Sequence, residues 1–169
     1  MLFRSVSVDG PLHVHEQHFE DEIHTEGGTV SLETIYTRCC HLREILPIPA
    51  TLRQLKNKTA PLEVLKMLNP KPTLIDVLSF SDFIAITPIN TVIFDNVTMT
   101  TEMLKNFLGS LIYNKQLEKL SLRNVAIDEM GWKYLCKFLA KNKTIKKLDI
   151  SQQRIKQDTP ETSIRGNMN

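Results

Sequence analysis

Leu117-Glu118-Lys119-Leu120-Ser121-Leu122-Arg123-Asn124 is the stretch that decides how this chain folds. Its apolar residues occupy positions 1, 4 and 6 of the octet, and a turn-forming asparagine closes it. The same frame recurs without adjustment in Ile89-Asn90-Thr91-Val92-Ile93-Phe94-Asp95-Asn96 and in Ile145-Lys146-Lys147-Leu148-Asp149-Ile150-Ser151-Gln152, each start lying 28 residues from the next. A fourth copy, Leu62-Glu63-Val64-Leu65-Lys66-Met67-Leu68-Asn69, sits 27 residues upstream of Ile89. Short apolar runs bounded by turn residues read as strands, and recurrence in phase at this period reads as a repeat architecture.

The segments between the octets repeat too. Leu104, Phe107, Leu108 and Leu111 stand 28 residues before Trp132, Leu135, Cys136 and Leu139. Steps of three, one and three residues put each set on one helix face. Met99 and Ile127 correspond as well, with Ile155 in the next unit. Each unit is therefore a strand followed by a helix, and neither buries its apolar side alone; stacking closes a shared core. The expected fold is α/β, a leucine-rich-repeat solenoid forming a horseshoe segment, with parallel strands on the concave face and helices on the convex face.

Upstream, Leu32, Ile35, Tyr36, Cys39, Leu42 and Ile45 fall three or four apart, which predicts a helix over 31–46 with Ser31 as its N-cap. Pro47 and Pro49 break it, and a shorter helical piece runs from Leu52 to Leu55. This segment suits an N-terminal helical cap over the open end of the stack. The expected organisation is a flexible, acidic, His-containing segment at 1–30, the cap at 31–61, repeats at 62–155 starting at 62, 89, 117 and 145, and an irregular tail at 156–169. Residues 157–169 show no apolar periodicity, so the last unit loses its helix; either a partner covers that end or, the favoured expectation, the chain is a fragment whose continuation completes the stack.

Composition fits a soluble, foldable chain: 41% hydrophobic, 24% charged and a formal net charge of +2, with no global field favouring nucleic acid or a membrane. The charge is uneven. Residues 1–30 hold one base against six acids, whereas 117–147 hold eight bases against three acids. Three cysteines, two of them adjacent, make a poor disulfide framework and suggest reduced thiols in a cytoplasmic or nuclear setting. No apolar leader opens the chain, and no uninterrupted apolar run approaches a membrane span.

Strand positions 2, 3, 5 and 7 point away from the core. They form a rigid, mixed-charge strip, and the residues expected to contact a partner there are Lys66, Leu68, Thr91, Ile93, Asp95, Lys119, Ser121, Arg123, Lys147 and Asp149. Parallel strands hold these side chains in register, and repeat proteins bind through such surfaces. Asn69, Asn96 and Asn124, followed by Gln152, read as turn chemistry at each strand exit. Lys133, Lys137 and Lys141 form a solvated helix stripe with no interleaved aromatics, so nucleic-acid binding is not expected.

Chemistry is sparse elsewhere. His13, His15, His18 and His24 lie where no fold is expected to hold them as metal ligands. Arg4-Ser5-Val6-Ser7 is a weak basophilic-kinase pattern. Cys39 and Cys40 are expected to pack partly into the cap helix, with no lowered thiol pKa. No glycine-rich phosphate loop, GxSxG, HExxH or CxxC motif occurs, and acid pairs such as Asp128-Glu129 sit at helix starts. The expectation is a noncatalytic monomer with no cofactor, metal or small-molecule ligand.

Residues 117–150 strongly resemble repeats of the ribonuclease-inhibitor-like superfamily, which includes ribonuclease inhibitor, activators of the Ran GTPase, tropomodulin-like actin regulators and several phosphatase-binding proteins. The segment Ile35–Leu55, a helix ending in Pro47-Ile48-Pro49 and then Leu52-Arg53-Gln54-Leu55, is similar to fungal leucine-rich-repeat proteins described as regulatory subunits of type 1 protein phosphatase. That resemblance covers about residues 30–155 and implies a type 1 phosphatase catalytic subunit as partner. The family's usual basic-x-Val-x-Phe docking motif is incomplete here: Arg4-Ser-Val-Ser-Val8 lacks the aromatic, and Thr91-Val-Ile-Phe94 lacks the base. The competing readings are a Ran-directed GTPase activator and a cytoskeletal, actin-regulating repeat protein.

Overall fold

The computed structural model describes residues 30–152. The N-terminal acidic stretch, with its histidines and the Arg4–Ser7 pattern, lies outside the described residues, as do Ile155 and the tail from 156 onward. In chain order the elements are α1 (Leu32–Leu42), α2 (Pro49–Leu55), β1 (Leu62–Lys66), α3 (Leu74–Ile86), β2 (Ile89–Ile93), α4 (Thr101–Leu111), β3 (Lys119–Ser121), α5 (Glu129–Lys141) and β4 (Lys147–Asp149).

The four strands form one parallel sheet in sequence order. Leu65 pairs with Val92, Val92 with Leu120 and Leu120 with Leu148. The octets therefore stack position on position, and each step across the sheet is one sequence repeat. A parallel step needs a crossover, which α3, α4 and α5 supply. Position 4 lies inside at Leu65, Val92 and Leu120, each fully buried, as do position 1 (Leu62, Ile89, Leu117) and position 6 (Met67, Phe94, Leu122). These side chains join the apolar faces of the helices in one cluster. At its centre Phe94 packs edge-on to Phe80 of α3, with ring centroids 5.2 Å apart, and tilted against Phe107 of α4 at 4.1 Å.

Helix starts are set by side-chain caps. The Thr73 side chain accepts from the Asp76 N–H while the Asp76 carboxylate accepts from the Thr73 N–H, a reciprocal capping box. Thr100 caps α4 through the Met103 N–H. Asp128 caps α5 through the Gly131 N–H at 2.7 Å and also accepts from the Thr101 hydroxyl of the preceding unit.

The cap helix is shorter than its periodicity predicts. Ser31 does cap α1, accepting from the Thr34 N–H, but the helix ends at Leu42. Glu44 adopts a left-handed conformation (φ 61°), and the Ile45 and Glu44 N–H groups donate back to the Cys40 and His41 carbonyls. This pair of bonds is a Schellman termination. Arg43, at the turn, reaches Asp82 of α3 with Nε–Oδ2 at 2.6 Å and Nη2–Oδ1 at 3.1 Å. That fork ties the cap to the first repeat helix. The second helical piece begins earlier than expected, at Pro49, where the missing N–H costs nothing.

The last helix differs from its neighbour for a physical reason. Leu111 of α4 is fully buried, whereas its counterpart Leu139 is 37% exposed, and Cys136 is exposed where Leu108 is buried. α5 covers that flank of α4; among the described residues no helix covers the same flank of α5. Phe138, 1% exposed, takes over the inward anchor instead.

Candidate functional site

Because positions 1, 4 and 6 turn into the core, positions 2, 3, 5 and 7 of the four octets lie together on the opposite face of the sheet, which carries no helix among the described residues. The first strand shows this face most openly. Lys66 is exposed, Val64 is 37% exposed and Leu68 is 55% exposed. Thr91, Ile93 and Asp95 of the second octet are half-buried; so are Lys119 and Arg123 of the third and Asp149 of the fourth, while Lys147 is exposed. Ser121 departs from the expectation of an outward, available hydroxyl: it is buried, because it donates to Asp95 Oδ1 at 2.6 Å.

Asp95 is the hub of this face. The same Oδ1 accepts the Arg123 N–H at 3.0 Å, so one carboxylate bridges from β2's exit to the strand beyond. Arg123 Nε lies 3.9 Å from Asp149 Oδ2. Asp149 accepts the Ser151 N–H at 3.0 Å; that hydrogen bonding first, then the charges of Arg123 and Lys119, hold its carboxyl below the usual range. Lys146 pairs with Glu118 at 3.2 Å. The face is thus preorganised, with Asp95, Glu118 and Asp149 held by neighbours on the same sheet.

The open edge of β1 is closed by a side chain. Gln54 Oε1 accepts the Lys66 N–H and Gln54 Nε2 donates to the Lys66 carbonyl, both at 2.8 Å. A primary amide supplies one donor and one acceptor, as a neighbouring strand residue would.

The asparagines at the strand exits behave as turn residues. Asn96, Asn124 and Gln152 have φ of 61°, 56° and 58°, and Asn124 Nδ2 donates to Asn96 Oδ1 at 2.8 Å. Asn69, which precedes Pro70, instead accepts the Lys71 N–H at 3.0 Å.

A second asparagine pair escaped the sequence reading. Asn142 is 4% exposed; its Nδ2 donates to the Leu111 carbonyl at 2.9 Å, and its Oδ1 accepts the Thr144 and Ile145 N–H groups, each at 2.9 Å. Asn114 does the same one unit earlier, donating to the Ile84 carbonyl at 3.0 Å and accepting from Gln116 and Leu117. Their 28-residue spacing was the available signal. It is easily missed, since asparagine before a strand usually marks only a loop.

Other features are structural. Cys39 and Cys40 are buried, and burial first of all raises the Cys40 thiol, the opposite of activation. Val92 and Phe94 of the partial phosphatase-type motif are fully buried and cannot be offered to a partner. Lys133, Lys137 and Lys141 are exposed. Among the described residues no group of three or more His, Cys, Asp or Glu could hold a metal, and no helix is long and apolar enough to cross a membrane.

The sequence is 55% identical over 166 residues to HMG2-induced ER-remodeling protein 1 of Saccharomyces cerevisiae, a match covering 95% of this chain and 13% of that protein. It is 49% identical over 120 residues to MAP-homologous protein 1 of the same yeast, covering 70% of this chain and 9% of that protein. The chain thus spans only a small part of the length of the curated relatives it matches. A family model described as the MHP1/HER1/GIP3 LRR domain matches residues 32–169, from the first turn of α1 through the repeats. The chain belongs to this leucine-rich-repeat domain family.

Proposed function

We propose that this chain is a noncatalytic protein-interaction module, a regulatory or scaffolding unit that binds its partner on the open strand face, and that the partner is a type 1 protein phosphatase catalytic subunit. One observation carries the interaction reading: four in-register strands hold outward side chains on a face that no helix of the described residues covers and that includes the exposed Leu68 and Val64. Apolar side chains left in water on an otherwise hydrogen-bonded surface are the usual mark of a contact site. In this reading the strand face is the concave side of a curved solenoid. The module is monomeric and works in the cytoplasm, where its thiols stay reduced. The choice of phosphatase rests on the likeness of the Ile35–Leu55 segment to phosphatase regulatory proteins. Since Val92 and Phe94 are buried, docking would use the strand face itself or chain outside the described residues.

The test is isothermal titration of the purified chain with a purified type 1 phosphatase catalytic subunit, comparing wild type with Leu68→Asp. The reading expects saturable binding that weakens at least tenfold in the variant, about 1.4 kcal/mol, with an unchanged melting curve. No heat with wild type would remove the phosphatase as partner. Equal binding by Leu68→Asp would move the interface off the strand face.

A further inference from the structure

We infer that the strand face is built for an extended, acidic protein segment, one apolar side chain followed about three residues later by carboxylates. This rests on the strand-face reading above and adds the chemistry of what binds there.

The face is divided along the sheet. Its β1–β2 half carries the apolar side chains Val64, Leu68 and Ile93. Its β3–β4 half carries Lys119 and Lys147, which are direct register partners on adjacent strands. Neighbouring strands lie about 4.8 Å apart, and like charges set opposite each other are destabilising. A sheet tolerates that arrangement more readily when a counter-charge lies over it.

The acids of the face do not fill that role fully. Bases and acids at the sixteen outward positions are nearly balanced, five to four, but the acids near the lysine pair are bonded elsewhere. Asp95 accepts from Ser121 and the Arg123 N–H, Glu118 pairs with Lys146, and Asp149 accepts from Ser151 and lies near Arg123, the charge of Lys119 being the smallest of the influences on it. The segment leading into β4 adds no acid: residues 142–148 hold three lysines and no carboxylate. Over residues 30–152, bases outnumber acids 17 to 11.

The spacing sets the pattern. Val64, Thr91 and Lys119 stand in one row across the sheet, so two strand separations, roughly 10 Å, part Val64 from Lys119. An extended peptide crossing the strands covers that distance in about three residues. A segment with Leu, Ile or Phe over Val64 would therefore bring a carboxylate at the third or fourth following residue over Lys119 and Lys147.

The experiment is selection of a displayed random 12-residue peptide library on the full chain, followed by affinity measurement of the enriched peptides at low and high salt. The expected result is a consensus with an apolar residue and carboxylates three or four residues on. Its binding should weaken at least tenfold in Lys119→Glu/Lys147→Glu, severalfold in the milder Lys119→Gln/Lys147→Gln, and with added salt. It should be unaffected by Lys137→Glu on the helical side. Enriched peptides that lack carboxylates yet fail to bind Leu68→Asp would overturn this inference and leave the strand-face reading standing. Peptides indifferent both to Leu68→Asp and to the lysine changes would sink the two together. No enrichment would overturn the inference alone, the phosphatase titration judging the other. Enrichment seen only when Glu16, Glu20, Asp21, Glu22 and Glu26 are replaced by Gln would assign the face to the chain's own N-terminal acidic stretch, and would overturn a separate partner.

Discussion

The Gln54 side-chain amide pairs with both backbone groups of Lys66, two hydrogen bonds of 2.8 Å that stand in for a missing neighbour strand. An edge strand presents unpaired N–H and C=O groups that can template pairing with another chain. Gln54→Ala should cost about 1 kcal/mol, at the modest end because the bonds are solvent-accessible. Urea unfolding measures it. Gln54→Glu should be no better, since a carboxylate would face the Lys66 carbonyl without a donor. A variant as stable as wild type would show that the edge needs no such cover.

Asn142 should matter more. Its buried amide satisfies the Leu111 carbonyl below and two N–H groups ahead of β4. Replacing it with Ala leaves those backbone groups unpaired in a site closed to water, so Asn142→Ala should lose roughly 3 kcal/mol. Asn142→Asp should lose a similar amount, because an anion would face the Leu111 carbonyl. A loss below that of Gln54→Ala would contradict this account.

Two glycines should respond in opposite directions to the same substitution. A Cβ on Gly131 would lie 2.8 Å from Ile127 Cγ2 and 3.1 Å from Leu104 Cδ2, where α5 closes on α4. Gly131→Ala should destabilise by about 1–2 kcal/mol, overpacking outweighing the helical gain. Gly109, inside α4, meets nothing within 4 Å. Gly109→Ala should stabilise by about 0.5–1 kcal/mol. Paired thermal melts decide it; the same sign for both would be the contrary outcome.

The three cysteines should separate by reactivity. Cys136 is exposed, whereas Cys39 and Cys40 are buried. One equivalent of a disulfide reagent should be consumed quickly by the native chain and two more only on unfolding. The Cys40 thiol is raised, first by burial, above its ordinary value of 9.0, so the folded state keeps a proton that the unfolded state gives up. Its contribution to stability is present below pH 9.0 and declines as pH rises above it. Tyr36, also raised by burial, adds to the same decline at higher pH. The urea midpoint should therefore fall between pH 8.5 and pH 10.5, a window bracketing the ordinary thiol value of 9.0. A flat midpoint across that range would count against it.

The repeat frame was legible in the sequence because apolar periodicity is a local property: Leu120 and Leu122 must share a face of any strand, and in-phase octets must stack. The buried positions 1, 4 and 6, the outward strip, the Ser31 cap and the strand-exit asparagines all follow from spacing and side-chain type. The end of α1 did not, because Glu44 has no intrinsic preference for φ of 61°. A fork between Arg43 and Asp82, 39 residues apart in sequence, fixes that turn.

Side-chain partnership across repeats is where the sequence falls silent. Nothing in Ser121 foretells its burial under Asp95, nothing in Gln54 its pairing with Lys66, and nothing in Leu139 its exposure beside a buried Leu111. Each depends on which element lies one repeat away and how closely it approaches. The sequence alone determined the strand–helix unit, its period and the face that turns outward. The tertiary structure decided which outward residues stay available and which are held by their neighbours, since hydrogen bonds and burial are set by distances between units that periodicity does not encode.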